Sequence, residues 1–106
     1  MTTEPHHTHQ PVLYHEIIHF LQPISPGRYI DATVGAGGHA WGILEHSSPG
    51  GRLLALDRDP QALELASQRL SDFGDRAVLV HASYTQLKEE TRKIGWESVN
   101  GILFDL

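Results

Sequence analysis

The sequence contains no cysteine. This excludes a disulfide framework, a thiolate zinc site and a cysteine nucleophile. Basic residues are also scarce, since 8 Lys and Arg stand against 13 Asp and Glu, for a net charge of −5 with histidine neutral. Because a protein that binds a polyanion normally presents a basic surface, the chain by itself is not an obvious RNA or DNA binder.

Long apolar runs are absent as well. No stretch approaches the roughly 18 residues of a membrane span, and residues 1–10 lack the basic and apolar regions of a signal peptide. The expected compartment is therefore the cytoplasm. The composition over 106 residues, 40% hydrophobic and 20% charged, indicates one small globular domain.

The first residues of the chain are polar and predict a flexible lead-in. His6, His7 and His9 lie in this segment, where their spacing favours only adventitious metal binding, so no metal site is predicted. From Pro11 to Gln22 apolar residues, among them Phe20, recur at helical spacing and predict an N-terminal helix.

Strand and helix patterns then alternate along the chain. Strands are predicted over residues 28–35, 52–57, 77–81 and 101–106, and helices over residues 39–46, from Pro60 to about Leu70, and 83–94. This order predicts an α/β fold, a doubly wound, Rossmann-like parallel sheet preceded by an N-terminal helix.

Several residues mark the ends of these helices. Asp59 followed by Pro60 is typical of an N-cap and a first helical position. Ser83 and Gln86 have the spacing of a capping box, and Gly95 is a typical C-terminal stop.

The chain ends inside its fourth predicted strand, whereas doubly wound sheets usually have five or more strands. We therefore expect residues 1–27 to form the lead-in and helix, and residues 28–106 to form the N-terminal half of a longer, here truncated, domain.

The densest motif follows the first predicted strand and opens the next helix. Gly35, Gly37 and Gly38 can adopt positive φ and let a ligand approach the backbone closely. The free amides of a helix N-terminus face the same place, and open α/β sheets bind ligands at the carboxyl ends of their strands. A ligand site is therefore predicted at this loop.

An adenosine-bearing cofactor suits this spacing. Gly35, Gly37 and Ala40 satisfy the G-x-G-x-x-G/A pattern, and Asp57 ends the second strand about 20 residues further on, where an acid can bind ribose hydroxyls. NAD and S-adenosylmethionine share the adenosine, so these residues leave both cofactors open.

Asp31 favours S-adenosylmethionine. It lies four residues before Gly35, at the end of an otherwise apolar strand. A carboxylate there would repel a pyrophosphate but attract an α-ammonium or a sulfonium. Its alternative role is a turn cap. Asp105 ends the fourth strand at the same sheet edge, and Tyr84, after the third strand, either packs against an adenine ring or serves as a core or cap-flanking aromatic.

Four segments together resemble one known family. They are His9-x-Pro11-Val12-Leu13, YIDATVGAGGH at residues 29–39, LALDRDPQA at residues 54–62 and GILFDL at residues 101–106. These segments are similar to those of the small-subunit ribosomal RNA methyltransferase H family, also called MraW. The resemblance runs from about His9 to Leu106.

The resemblance implies a class I methyltransferase fold that uses S-adenosylmethionine to methylate N4 of a cytosine in the 16S rRNA of the small ribosomal subunit. The family's cofactor-binding positions match Gly37, Gly38, His39, Asp57, Tyr84 and Asp105. Asp105 is also the candidate catalytic residue, since a carboxylate near the methyl group could accept a proton from the cytosine amine.

In the family the fourth strand continues into a further cofactor loop, the rest of the sheet and a helical insertion that helps to bind RNA. These parts are not in the sequence, so the RNA surface is expected outside it and the 106 residues alone are not expected to be active. Two alternatives remain open. One is an NAD-binding oxidoreductase half-domain, and the other is a non-catalytic, truncated remnant that folds poorly or serves only to bind cofactor or a partner.

Overall fold

The computed structural model describes residues 14–104. In this part of the chain four α-helices alternate with four β-strands. Their bounds are α1 Tyr14–Leu21, β1 Arg28–Asp31, α2 Gly38–His46, β2 Arg52–Asp57, α3 Pro60–Arg69, β3 Ala77–His81, α4 Leu87–Lys93 and β4 Gly101–Leu103. Short 3₁₀ turns at Ser71–Arg76 and Tyr84–Gln86 precede β3 and α4.

The strands form one parallel sheet in the order β3-β2-β1-β4. This confirms the predicted α/β fold, and β2 and β3 begin and end at the predicted residues. The register pairs Asp31 with Ala55 and Leu103, and it pairs Asp57 with His81. β4 ends at Leu103, so Phe104 does not belong to the predicted fourth strand. The predicted start of the first helix, residues 11–13, and residues 105–106 of the predicted fourth strand lie outside the described residues.

β1 ends at Asp31, earlier than the predicted Gly35. The Asp31 carboxylate accepts a hydrogen bond from the Thr33 amide at 3.2 Å and so turns the backbone. Beyond that point, Ala32 N donates to Leu103 O and Val34 N donates to Leu56 O, both at 2.8 Å. The segment therefore bonds first to one neighbouring strand and then to the other, and is no longer a strand.

Alternating strand residues build two apolar layers. Tyr29, Leu53 and Ala55 face α2 and α3 and form the larger core cluster, against which α1 also packs through Ile18 and Leu21. On the opposite face, buried Ile30, Leu54 and Leu56 pack with side chains from α4 and the segment after it.

The predicted helix ends are confirmed. The Asp59 carboxylate accepts from Gln61 N at 2.9 Å, with Pro60 in the first turn of α3. Ser83 and Gln86 form the capping box, which here starts a 3₁₀ turn that leads into α4. Gly95 follows α4 with a φ of 77°.

Two apolar residues of the predicted helices lie in solvent. Phe20 is 84% exposed and Leu65 is 55% exposed. α1 is only eight residues long and directs Ile18 and Leu21 to the core, so Phe20 falls outside its buried face. None of the helices within residues 14–104 has the length and hydropathy needed to cross a bilayer.

Tyr14 gives the fold a pH dependence in the alkaline range. Burial, with a smaller contribution from the Glu45 carboxylate, raises the pKa of the phenol above its ordinary value of 10.0. The unfolded chain therefore ionises first, so this contribution to stability is complete below about pH 10 and is lost above it.

We expect the melting temperature of the wild type to fall more steeply between about pH 9 and pH 11 than that of Tyr14→Phe. Thermal melts across this range measure the two slopes. Any hydrogen bond lost in Tyr14→Phe lowers its melting temperature at every pH. The comparison therefore uses the slopes of melting temperature against pH and not the absolute values. Parallel curves would contradict a buried, hard-to-ionise phenol.

Candidate functional site

The loop between β1 and α2 depends on glycine at two positions. Gly35 has a φ of 57° and Gly37 a φ of 92°, in the left-handed region that glycine adopts without a steric cost. At Gly37 a Cβ would also lie 3.3 Å from the Cα of Ala66 in α3. The loop thus turns sharply at the carboxyl edge of the sheet, and α2 starts in close contact with α3.

Asp57 ties this loop to the end of β2. Its Oδ2 accepts from Gly35 N at 2.9 Å, and its Oδ1 accepts from Asp59 N at the same distance. The side chain is only partly buried. Because a carboxylate has about four lone-pair sites, these two bonds fix its orientation and leave acceptor capacity for hydroxyl groups.

Asp31 lies under the loop, with only 1% of its surface exposed. Its bond to Thr33 N confirms the turn-cap role that the sequence left open. By register Asp31 is level with Ala55, two residues before Asp57 on the same face of the sheet. Two carboxylates on one face at this edge favour a ligand with positive charge.

Gly38 and His39 form the first turn of α2. Gly38 is buried and His39 is partly exposed. The first amides of a helix have no partner within it and carry its positive dipole end. The two residues are thus placed at the predicted site, and their contact with a cofactor stays a prediction.

Tyr84 lies in the 3₁₀ turn after β3 and is 47% exposed, so it is not a core aromatic. Its ring meets that of Phe104 edge to face, with centroids 6.2 Å apart. Phe104, which sequence reasoning did not select, is equally exposed. Asp105, the predicted catalytic and cofactor-binding residue, lies outside the described residues.

These residues are compatible with the adenosine part of a cofactor. A Cβ built on Gly35 meets nothing within 4 Å, so the space beside the loop is open. Asp57 offers oriented acceptors next to that loop, and Tyr84 offers an exposed ring of the kind that stacks on a base.

Sequence reasoning also missed His81. This residue ends β3 beside Asp57 in the register, and its Nε2 lies 2.8 Å from the backbone oxygen of Arg58. The only signal in the sequence is a polar residue that ends the apolar run AVLV, which does not reveal its partner.

A separate groove of about 680 Å³ runs along α4. Its lining includes Lys88, Arg92, Trp96 and Glu97, and it includes neither Asp57 nor the loop glycines. Across residues 14–104, no group of three or more His, Asp or Glu side chains is arranged to hold a metal ion.

The strand order, the glycine loop after β1 and the acid at the end of β2 define a Rossmann-like α/β fold, which solved methyltransferase structures share. A SAM-dependent O-methyltransferase from Thermotoga maritima matches 92% of the chain, over 37% of its own length, with a TM-score of 0.73 and 19% identity. TrmN from Thermus thermophilus matches 89% of the chain, over 27% of its own length, with a TM-score of 0.72 and 22% identity.

The sequence comparisons are more specific. The chain belongs to the MraW methylase family, whose model matches residues 6–106. It is 48% identical over 106 residues to the ribosomal RNA small subunit methyltransferase H of Dehalococcoides mccartyi strain 195 and covers 30% of that protein. It is 50% identical over 105 residues, or 99% of the chain, to the protein of that name from Desulfovibrio desulfuricans and covers 32% of it. The chain thus spans about a third of the length of these curated relatives.

Proposed function

We propose that residues 28–106 are the N-terminal, cofactor-binding half of a methyltransferase domain that uses S-adenosylmethionine to modify 16S rRNA. Membership of the MraW methylase family and the names of the relatives support the reaction class. The observation that carries the proposal is the 2.9 Å bond between Gly35 N and the Asp57 carboxylate, which joins the glycine loop to the candidate ribose-binding acid.

Each site residue has a role in this proposal. Gly35, Gly37 and Gly38 let the cofactor approach the backbone. The loop they form ends at His39, and His39 contacts the amino-acid end of the cofactor. Asp57 accepts hydrogen bonds from the ribose hydroxyls through the lone pairs that Gly35 and Asp59 leave free. Tyr84 packs against the adenine.

Asp31 distinguishes the two adenosine cofactors. Its buried carboxylate lies directly before the loop. A negative charge in this position stabilises the α-ammonium and sulfonium of S-adenosylmethionine and repels the pyrophosphate of NAD. The same charge makes the oxidoreductase alternative the weaker one.

The bound cofactor supplies a methyl group carried on a sulfonium. The acceptor we propose is N4 of a cytosine, an amine whose lone pair is delocalised into the ring, so attack requires close alignment and a hydrogen-bond acceptor for the amine proton. We assign that acceptor role, and a cofactor contact, to Asp105. The RNA-binding surface lies in the remaining two thirds of the protein, and a ribosomal substrate implies a cytoplasmic reaction.

Thermal melts test the cofactor assignment. S-adenosylhomocysteine at about 100 times its Kd stabilises a one-site protein by about 2.7 kcal/mol. For a domain of this size that corresponds to a rise in melting temperature of roughly 10 °C or more. We expect NADH, at the same concentration, to leave the melting temperature unchanged.

A rise with NADH alone would support the oxidoreductase alternative. An unchanged melting temperature with both ligands would contradict cofactor binding by the chain. Methionine, which lacks the adenosine, is the matched control ligand and should have no effect.

A further inference from the structure

The turn between β2 and α3, residues 57–59, is fastened to the end of β3 by two hydrogen bonds. Ala82 N donates to the Asp57 backbone oxygen at 3.0 Å. His81 Nε2 lies 2.8 Å from the Arg58 backbone oxygen. A carbonyl oxygen only accepts, so Nε2 carries the hydrogen, as it does both in the protonated ring and in one of its neutral tautomers.

The His81 bond supports the Asp57 carboxylate indirectly. Asp57 is held through its backbone by Ala82, and the next residue is held through its carbonyl by His81. The same carboxylate bonds Gly35 N and Asp59 N. A turn released at Arg58 would therefore move Asp57 and loosen the glycine loop.

Apart from this hydrogen bond, the His81 side chain contributes little to the stability of the fold. Its side chain is exposed, so removing the ring takes little apolar surface out of a buried environment. Its effect on global stability should accordingly be small, while its effect on the geometry of the turn should be large.

We propose that His81 is a positioning residue, which acts through Arg58 and Asp57 to aim the candidate ribose-binding carboxylate. The assignment of a ribose to Asp57 rests on the proposed function. The fastening of the turn does not, and it can be measured without any ligand.

Three substitutions of His81 test whether the turn requires a hydrogen-bond donor at the position of Nε2. Gln places its amide nitrogen as many bonds from Cβ as Nε2 is, so His81→Gln can donate to Arg58. His81→Asn carries the same group one bond shorter and cannot reach it, and His81→Ala removes the donor. His46→Ala is the matched control, because His46 is also exposed and its Nδ1 lies 2.8 Å from the backbone oxygen of Gly42, on α2.

We expect His81→Ala and His81→Asn to raise the Kd of the 106-residue chain for S-adenosylhomocysteine about tenfold. His81→Gln and His46→Ala should stay within about twofold of the wild type. Calorimetry measures the affinities. In the free chain, the amides of Gly35 and Asp59 should exchange with solvent about tenfold faster in the Ala and Asn variants than in the Gln variant.

The affinities and the exchange rates test separate claims. Wild-type binding with equal affinities in all His81 variants, or equal exchange at Gly35 and Asp59, would overturn the positioning role. A wild type that does not bind S-adenosylhomocysteine would refute the proposed function, and the exchange rates would still decide whether His81 fastens the turn.

Discussion

Asp57→Ala is expected to raise the Kd for S-adenosylhomocysteine at least about 100-fold. A carboxylate that bonds ribose hydroxyls makes charge-assisted hydrogen bonds, each worth about 1.5–3 kcal/mol, and 1.4 kcal/mol is a factor of ten. The substitution also removes the acceptor of Gly35 N and Asp59 N. The variant thus loses both the direct contact with the ribose and the bond that fixes the glycine loop. Calorimetry measures the resulting rise in Kd.

Asp57→Asn separates these two contributions. The amide keeps one oxygen for either Gly35 N or Asp59 N and turns an NH₂ group toward the other, which places two donors face to face. We expect its affinity to lie between those of the wild type and Asp57→Ala.

Asp59→Ala is the matched control for Asp57. It removes the N-cap of α3, at a cost of about 1 kcal/mol in stability, and leaves the Asp57 side chain and the Asp59 amide in place. Its affinity should match the wild type below the melting temperature. Binding by Asp57→Ala within about threefold of the wild type would refute the ribose assignment.

Gly51→Ala should have the largest effect on folding. A Cβ at this position would lie 1.9 Å from Oγ, 2.2 Å from Cβ and 2.7 Å from the backbone oxygen of Ser47. Ser47 cannot move away easily, since it is fully buried and its Oγ donates to Ile43 O at 2.7 Å. Gly51 is fixed too, because its amide donates to Ser47 O and its oxygen accepts from Arg76 Nε.

Relief of this overlap requires a shift of the loop between α2 and β2. Overpacking of a fixed site costs about 1–3 kcal/mol and sometimes more, and we expect the upper end, with a fall in melting temperature of roughly 12 °C or more. Gly95→Ala is the comparison, since the φ of 77° at Gly95 strains alanine but nothing lies within 4 Å of an added Cβ. Its cost should be about 1 kcal/mol. Equal melting temperatures for the two variants would contradict the tight Ser47 contact.

Local patterns were enough to predict most of the fold. β2 and β3 are short apolar runs between turn residues, and their bounds in the structure agree with the sequence prediction. Asp59 and Ser83 act on amides two or three residues away, so their roles as caps depend only on neighbouring sequence. Such features can be predicted from the sequence because the capping side chain and the amide it binds are only two or three residues apart.

Long-range placement limited the prediction of the site. The Gly35–Asp57 contact could be anticipated, since both residues end up at the carboxyl edge of a parallel sheet. The bond of His81 to Arg58 depends on the register of β3 against β2, and the meeting of Tyr84 with Phe104 depends on the path of α4. Neither relation is encoded in spacing along the chain.

An amide NMR titration of the ¹⁵N-labelled chain with S-adenosylhomocysteine tests the central claim most directly. If the glycine loop and Asp57 hold the adenosine cofactor, the amides that shift most will be those of residues 35–39, Asp57, Arg58 and Tyr84. Shifts concentrated instead at Lys88, Arg92 and Trp96, along the α4 groove, would contradict the assignment and place the ligand on the other side of the sheet.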